Sequence, residues 1–125
     1  LFKNIGCEKC HISTYKTGKH KTHIELSNRV IKPYSDFLLH DMGPGLDDGV
    51  KEGDAKSYEW QTPPLWGIGL VQIVNKHTRF LHDGRARSIE EAILWHEGES
   101  LSSKEKYLSL NAKERRKVLK FLNSL

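Results

Sequence analysis

A Cys-x-x-Cys-His pattern lies near the start of the chain, at Cys7, Cys10 and His11. This pattern is typical of a c-type haem attachment site, in which two thiols bond the vinyl groups of one haem. The histidine that follows then lies where it can bind the iron from the proximal side. The 125 residues contain no other cysteine. The motif therefore predicts one covalent haem c, tethered by Cys7 and Cys10, with its iron bound by His11.

Two other uses of a Cys-x-x-Cys pair compete with this interpretation. Zinc would need two more ligands at close spacing, and the sequence holds no second Cys-x-x-Cys pair. A thioredoxin-like thiol-exchange motif would lie in a strand-helix unit, which this segment does not resemble. Both alternatives therefore rank below haem attachment.

Length and charge limit what the chain can be. The 125 residues suit one small domain spanning 1–125, and a buried haem would add to its limited apolar core. No apolar run approaches membrane-spanning length, so we expect no membrane insertion. The net charge is +4, which indicates a solvated surface or a docking face for an acidic redox partner. No nucleic-acid-binding motif accompanies the charge, so nucleic acid is not an expected partner.

Local patterns predict helices, long loops and one small β-hairpin. Residues 1–5 resemble the end of a short helix, and residues 12–22 are predicted as loop. Residues 23–26 and 29–31 predict the hairpin. Residues 69–74 are apolar and predict a strand or a segment that lines a pocket.

Two helices are predicted at the C-terminal end. The first begins at Ser88, where Ser88 and Glu91 fit a capping box, and Gly98 is placed to stop it. The second begins near Asn111 and runs towards the C-terminus, with an inward stripe of apolar residues. Its stripe consists of Val118, Leu119 and Leu122.

The distal side of the iron has several candidate ligands. Met42 is the only thioether, and the remaining histidines are His20, His23, His40, His77, His82 and His96. His96 falls on the apolar stripe of the first predicted helix, where a buried imidazole needs a polar partner. We therefore favour His96, with Met42 or a vacant position as alternatives. In a vacant site, His82 or His40 is the candidate acid-base group for peroxide chemistry.

Several ordered segments together carry a family resemblance. They are Phe2-x-x-Ile5-Gly6-Cys7-x-x-Cys10-His11, Pro33-Tyr34-Ser35-Asp36-x-Leu38-Leu39-His40-Asp41-Met42-Gly43, Thr62-Pro63-Pro64-Leu65-Trp66-Gly67, Leu81-His82-Asp83-Gly84-Arg85-Ala86, Ser88-Ile89-Glu90-Glu91-Ala92-Ile93-Leu94-Trp95-His96 and Phe121-Leu122-Asn123-Ser124-Leu125. The chain resembles the C-terminal haem domain of the bacterial di-haem oxidoreductase family. That family is related to di-haem cytochrome c peroxidases and MauG-like enzymes.

The resemblance implies a mainly α, cytochrome c-like fold and a periplasmic location, where haem is attached after export. In the related peroxidases this domain holds the haem at which electrons enter, and an N-terminal domain holds the haem that reacts with peroxide. Their distal methionine corresponds here to His96, which implies a bis-histidine haem. Trp66 stands where those peroxidases usually have arginine. We expect Trp66 to pack in the core, with a role at the haem edge as the alternative.

We expect a mono-haem domain that passes single electrons to another haem domain or redox protein, in assembly with other subunits. No N-terminal haem domain lies within these residues, so a two-haem peroxidase reaction is not expected within them. The rival function is a peroxidase-like haem that binds peroxide at an open or displaceable distal position. The expected pocket wall consists of Pro64, Leu65, Phe80 and Leu81. Arg85 is expected to pair with a haem propionate or, alternatively, with Asp83 or Glu90.

Overall fold

The computed structural model describes all residues of the chain, 1–125. Its α-helices are α1 (Val71–Asn75), α2 (Ile89–Leu94), α3 (Leu101–Ser109) and α4 (Ala112–Leu122). Short 3₁₀ turns occupy Cys7–Lys9, Ile24–Leu26, Pro44–Leu46, Ile68–Leu70 and Gly98–Ser100. Long loops join these elements. The predicted fold class, mainly α with a small β component, is confirmed.

The β component consists of two antiparallel sheets of two strands each. The strands are β1 (Tyr15–Lys16), β2 (Val30–Ile31), β3 (Leu39–Asp41) and β4 (Glu59–Gln61). In the first sheet Tyr15 pairs with Ile31, and in the second His40 pairs with Trp60. β3 carries His40, whose Nδ1 lies 3.8 Å from Cys10 Sγ, so this sheet lies close to the Cys-x-x-Cys-His motif.

The hairpin predicted within residues 23–31 is wrong in its pairing. Ile24–Leu26 forms a 3₁₀ turn, and β2 pairs instead with the upstream strand β1, inside the predicted loop. The hydroxyl of Thr17 donates to the Leu26 carbonyl at 2.6 Å and accepts from Arg29 N at 2.8 Å. This one side chain satisfies backbone groups on both sides of residues 27–28, so the segment folds back onto Thr17 rather than onto itself.

The two predicted C-terminal helices are present, and a third helix lies between them. α4 begins after Asn111, whose side chain forms a complete capping box with Glu114. α2 begins after Ser88, which accepts a hydrogen bond from Glu91 N at 3.0 Å. α2 ends at Leu94, so it stops before Gly98, where the stop was predicted. The intervening helix α3 was not predicted.

Residues 69–74 are helical, which corrects the predicted strand. They complete the 3₁₀ turn Ile68–Leu70 and continue into α1. Gly69 lies so close to the backbone carbonyl of Asn123 that a Cβ atom there would overlap it. The Gly67 amide also donates to the Leu125 carbonyl at 2.7 Å. The C-terminal end of the chain therefore holds this segment in place.

One apolar core joins the haem motif to the C-terminal helices. Its buried residues are Ile5, Leu65, Ile89, Tyr107, Val118 and Leu122. Burying a side chain of this size contributes about 1.5–3 kcal/mol. Cys7 packs against this core, and Phe2 and Tyr34 also border it. The core therefore fixes the position of the attachment motif relative to α3 and α4.

A candidate haem site with two histidines

The attachment motif folds as a single helical turn. His11 N donates to the Cys7 carbonyl at 2.9 Å, which places these residues four apart on one turn. Cys10 lies three residues after Cys7, so both thiols and the imidazole share one face. Gly6 precedes the turn with φ 96°, and a Cβ atom there would lie 2.7 Å from the Ser103 hydroxyl. The motif therefore packs closely against α3.

Both thiols remain protonated near neutral pH. Burial raises the pKa of Cys7 to about 11. Burial also raises the pKa of Cys10, and the carboxylates of Asp36 and Glu99 raise it further. The two cysteines are free and not joined by a disulfide. They are thus available to form the two thioether bonds that a c-type haem requires.

His11 is held as a neutral imidazole with one nitrogen free. Its Nδ1 lies 2.9 Å from the Tyr34 carbonyl oxygen. A carbonyl can only accept, so Nδ1 carries the proton and Nε2 keeps its lone pair. Burial lowers the pKa of His11 to about 4. The ring is therefore uncharged at neutral pH, the state that a metal-binding imidazole requires.

His96 has the same arrangement at the end of α2. Its Nδ1 lies 2.7 Å from the Ala92 carbonyl oxygen, one turn earlier in the chain. The proton is therefore on Nδ1, and no hydrogen bond in the structure occupies Nε2. Burial lowers the pKa of His96, despite the hydrogen bond to Ala92. α2 ends at Leu94, so His96 lies two residues beyond the helix, which corrects the prediction that its apolar stripe carries this histidine.

The two histidines are close enough to interact electrostatically. A positive charge on His96 would lower the pKa of His11 further, in addition to the effect of burial. Iron-binding histidines in proteins commonly donate the second ring N–H to a backbone carbonyl, which fixes the tautomer and the ring orientation. His11 and His96 both show this pattern. The donor set thus fits a haem iron with two imidazole ligands.

The other candidate ligands are less well placed. His20, His23, His77 and His82 are exposed. Met42 is half-buried, and its sulfur lies 4.0 Å from the Ser100 hydroxyl. Met42 remains an alternative distal ligand.

His40 lies between two carboxylates, an arrangement that sequence analysis missed. Its Nε2 donates to Asp36 and its Nδ1 donates to Glu99, and each donor–acceptor distance is 2.8 Å. Cys10 Sγ is 3.8 Å from the same ring. Because β3 and Glu99 are far apart in sequence, no local pattern could have identified this cluster. It includes only one of the two cysteines, so it is not the paired-cysteine zinc site considered above.

The His40 cluster stabilises the fold in a pH-dependent way. Burial opposes the charge on His40, but hydrogen bonds to Glu99 and Asp36 raise its pKa above the ordinary value. Since the folded state binds this proton more tightly than the unfolded state, the stabilisation is full below about pH 6.5, the unfolded pKa. It is lost as the pH rises through the folded pKa.

We expect His40→Asn to lower the free energy of unfolding by about 2 kcal/mol at pH 6, because two hydrogen bonds to charged groups disappear. We expect a smaller loss at pH 9, where a smaller fraction of wild-type His40 is protonated. Urea unfolding at both pH values measures the two differences. His77→Asn, at an exposed histidine, is the control. An equal loss at both pH values would contradict a charged His40.

The expected pocket wall is only partly buried. Leu65 is buried in the core, and Phe80 packs against that core. Leu81 is half-buried with φ 68°, and Pro64 is exposed. Trp66 is 51% exposed, which corrects the expectation that it packs in the core. The exposed position leaves the ring free to contact a cofactor or a partner.

Arg85 is held by a different set of groups from the expected propionate. Its Nε donates to Asp83 at 2.5 Å, and another guanidinium nitrogen donates to the Gly45 carbonyl. The guanidinium lies between two indole rings, 5.1 Å from the Trp95 centroid and 5.7 Å from the Trp60 centroid. Such cation-π contacts contribute about 0.5–1 kcal/mol each at exposed sites. The ion pair with Asp83 was the alternative expectation.

Comparison with known proteins identifies the family. Neither the curated proteins nor the solved structures include a match. The family model described as "Di-haem oxidoreductase, putative peroxidase" matches residues 1–125. That match covers the whole chain, and it agrees with the resemblance carried by the ordered motifs. The chain therefore belongs to the di-haem oxidoreductase family and is a haem-related redox protein.

Proposed function

We propose that this chain is a c-type cytochrome domain that carries one covalent haem and transfers single electrons. Cys7 and Cys10 would tether the ring, and His11 and His96 would bind the iron on its two sides. When bound, a haem c supplies an iron that alternates between the ferric and ferrous states. The natural partner would be another haem domain or redox protein.

One observation supports this proposal above all. Both imidazoles donate Nδ1–H to a backbone carbonyl and leave Nε2 without a hydrogen bond. Two neutral histidines with the same tautomer and a free Nε2 suit a single metal ion with two axial nitrogens. An iron with both axial positions filled favours electron transfer over peroxide binding.

The ligand pair would also set the range of the reduction potential. Ligation by methionine and histidine raises the potential of a c-type haem relative to two histidines. The chain's own residues would contribute by keeping the ligands neutral and by limiting access of water. Leu65 belongs to the apolar core that Cys7 contacts, and Phe80 packs against that core. A low potential is therefore the expectation for this haem.

A peroxidase-like function is the second candidate, because the family description names a peroxidase. It would require a vacant or displaceable distal position and a nearby acid-base group. His40 already donates to two carboxylates, and His82 is exposed with its Nε2 on the Gln61 carbonyl at 2.7 Å. Neither side chain is free in the way that a peroxide-binding site needs.

Location and partners belong to the same proposal. Haem attachment to a Cys-x-x-Cys-His motif fits a periplasmic protein, and oxidoreductases of this family are typically exported. No helix in the structure combines the length and the apolar character needed to cross a bilayer. We propose that the domain works in the periplasm, in contact with a second haem domain or with other subunits.

Adding cyanide and then peroxide to the ferric holoprotein at neutral pH distinguishes the two functions. We expect the absorption spectrum to stay unchanged over minutes, because two histidines fill the axial positions. The reduced protein should also transfer its electron stoichiometrically to an external oxidant. A prompt spectral change with either added ligand would instead support the peroxidase-like function.

A further inference from the structure

A basic surface groove lies against the haem-attachment turn. The groove has a volume of about 480 Å³ and is open to solvent. Its walls include Lys3, Gly6, Glu8, Lys9, Ile12 and Lys106. Glu8 and Lys9 are the two residues between the cysteines, and Lys106 comes from α3. Anything bound in the groove would therefore contact the turn that tethers the haem.

The positive charge of this groove is not neutralised within the chain. Glu8 is its only acidic residue, and it is already paired with Lys3 at 3.0 Å and accepts a hydrogen bond from Ser13 at 3.2 Å. Lys9 and Lys106 are exposed and form no ion pair. The groove thus presents two free ammonium groups from two separate elements, with Ile12 as its only apolar residue.

We propose that this lysine groove is the docking site for an acidic surface of the redox partner. The inference rests on the proposed electron-transfer function and names the class of partner. Charge complementarity supports it, because the two unpaired lysines attract carboxylate side chains. Complexes between redox proteins are small, polar and short-lived, and charge steering governs how fast they form. A groove with exposed lysines and little apolar surface fits that type of contact.

Oxidation of the ferrous holoprotein by ferricyanide tests whether anions reach the haem through this groove. The test variant is Lys9→Glu/Lys106→Glu. The matched control is Lys117→Glu/Lys120→Glu on α4, where both lysines are exposed and the net charge changes equally. At low ionic strength we expect about tenfold slower oxidation of the test variant, and about twofold or less for the control. High salt should remove the difference.

Two results would overturn the docking proposal while leaving the electron-transfer function intact. Equal slowing of both variants would mean that only net charge matters. Poly-L-glutamate tests the class of occupant, and we expect it to slow the reaction of wild type and control but not of the groove variant. If inorganic phosphate at the same ionic strength slows oxidation of the wild type as much as poly-L-glutamate does, the groove binds a small anion rather than an acidic protein. A colourless matured protein is a separate result, which would overturn the electron-transfer function and this docking role together.

Discussion

Replacement of His96 by alanine is expected to convert a low-spin haem spectrum to a high-spin one at neutral pH. The substitution would remove one of the two proposed axial nitrogens, and beyond His11 and His96 the chain offers no third imidazole with the same geometry. The ferric holoprotein should then bind cyanide rapidly, which the wild type should not. Absorption and electron paramagnetic resonance spectra of the variant measure both effects. His77→Ala, at an exposed histidine, is the matched control and should leave the spectra unchanged.

Met42 decides how this result is interpreted. Its sulfur lies beside Ser100, close in sequence to His96, so a thioether ligand is the competing assignment. We expect Met42→Ala to keep the low-spin spectrum. Survival of that spectrum in His96→Ala, together with its loss in Met42→Ala, would contradict ligation by two histidines and would raise the expected potential.

Replacement of Tyr107 by alanine is expected to lower the free energy of unfolding by about 4 kcal/mol. Tyr107 is fully buried at the centre of the core. Its hydroxyl donates to Glu90 at 2.8 Å, and Arg115 lies 5.7 Å from its ring centroid. The substitution leaves a cavity where α3 meets α2 and α4. Urea unfolding of the holoprotein measures the loss.

Two further variants separate packing from hydrogen bonding at this position. Tyr107→Phe keeps the ring and removes only the hydroxyl, so we expect a cost of about 1–2 kcal/mol from the unpaired Glu90 carboxylate. Tyr15→Ala removes a tyrosine that is 41% exposed and should cost less than about 1 kcal/mol. A Tyr107→Ala protein as stable as Tyr15→Ala would show that the core does not depend on this ring.

The sequence predicts best where local chemistry determines structure. The helix starts at Ser88 and near Asn111 both depend on residues within one helical turn. Each of these predictions needed only spacing and residue type. The proposed ligand His11 also comes from a local motif, whereas His96 lies beyond the end of α2, where the predicted helix had been expected to carry it.

The features that the sequence missed depend on contacts between distant residues. β1 pairs with β2 across a long loop, through hydrogen bonds that Thr17 organises. His40 and Glu99 are 59 positions apart. α3 contains mostly serine and lysine, and no side chain caps its first turn, so neither periodicity nor capping marks it. Tertiary packing of Tyr107 then determines that this segment is helical.

The three tryptophans show the same limit. Trp66 was expected in the core, yet Leu65 beside it fills that position and leaves the indole at the surface. Trp95 and Trp60 come from segments 35 residues apart and enclose Arg85, which no local pattern predicts. Neither arrangement can be predicted from local sequence, because each depends on which side chains the folded chain buries.

The mass of the intact, matured protein under denaturing conditions tests the central claim most directly. Two thioether bonds survive unfolding, so we expect the polypeptide mass increased by one haem, with the visible colour migrating with the chain. Cys7→Ser/Cys10→Ser should show the mass of the polypeptide alone. A wild-type protein with the bare polypeptide mass after full maturation would contradict covalent haem attachment and the function proposed from it.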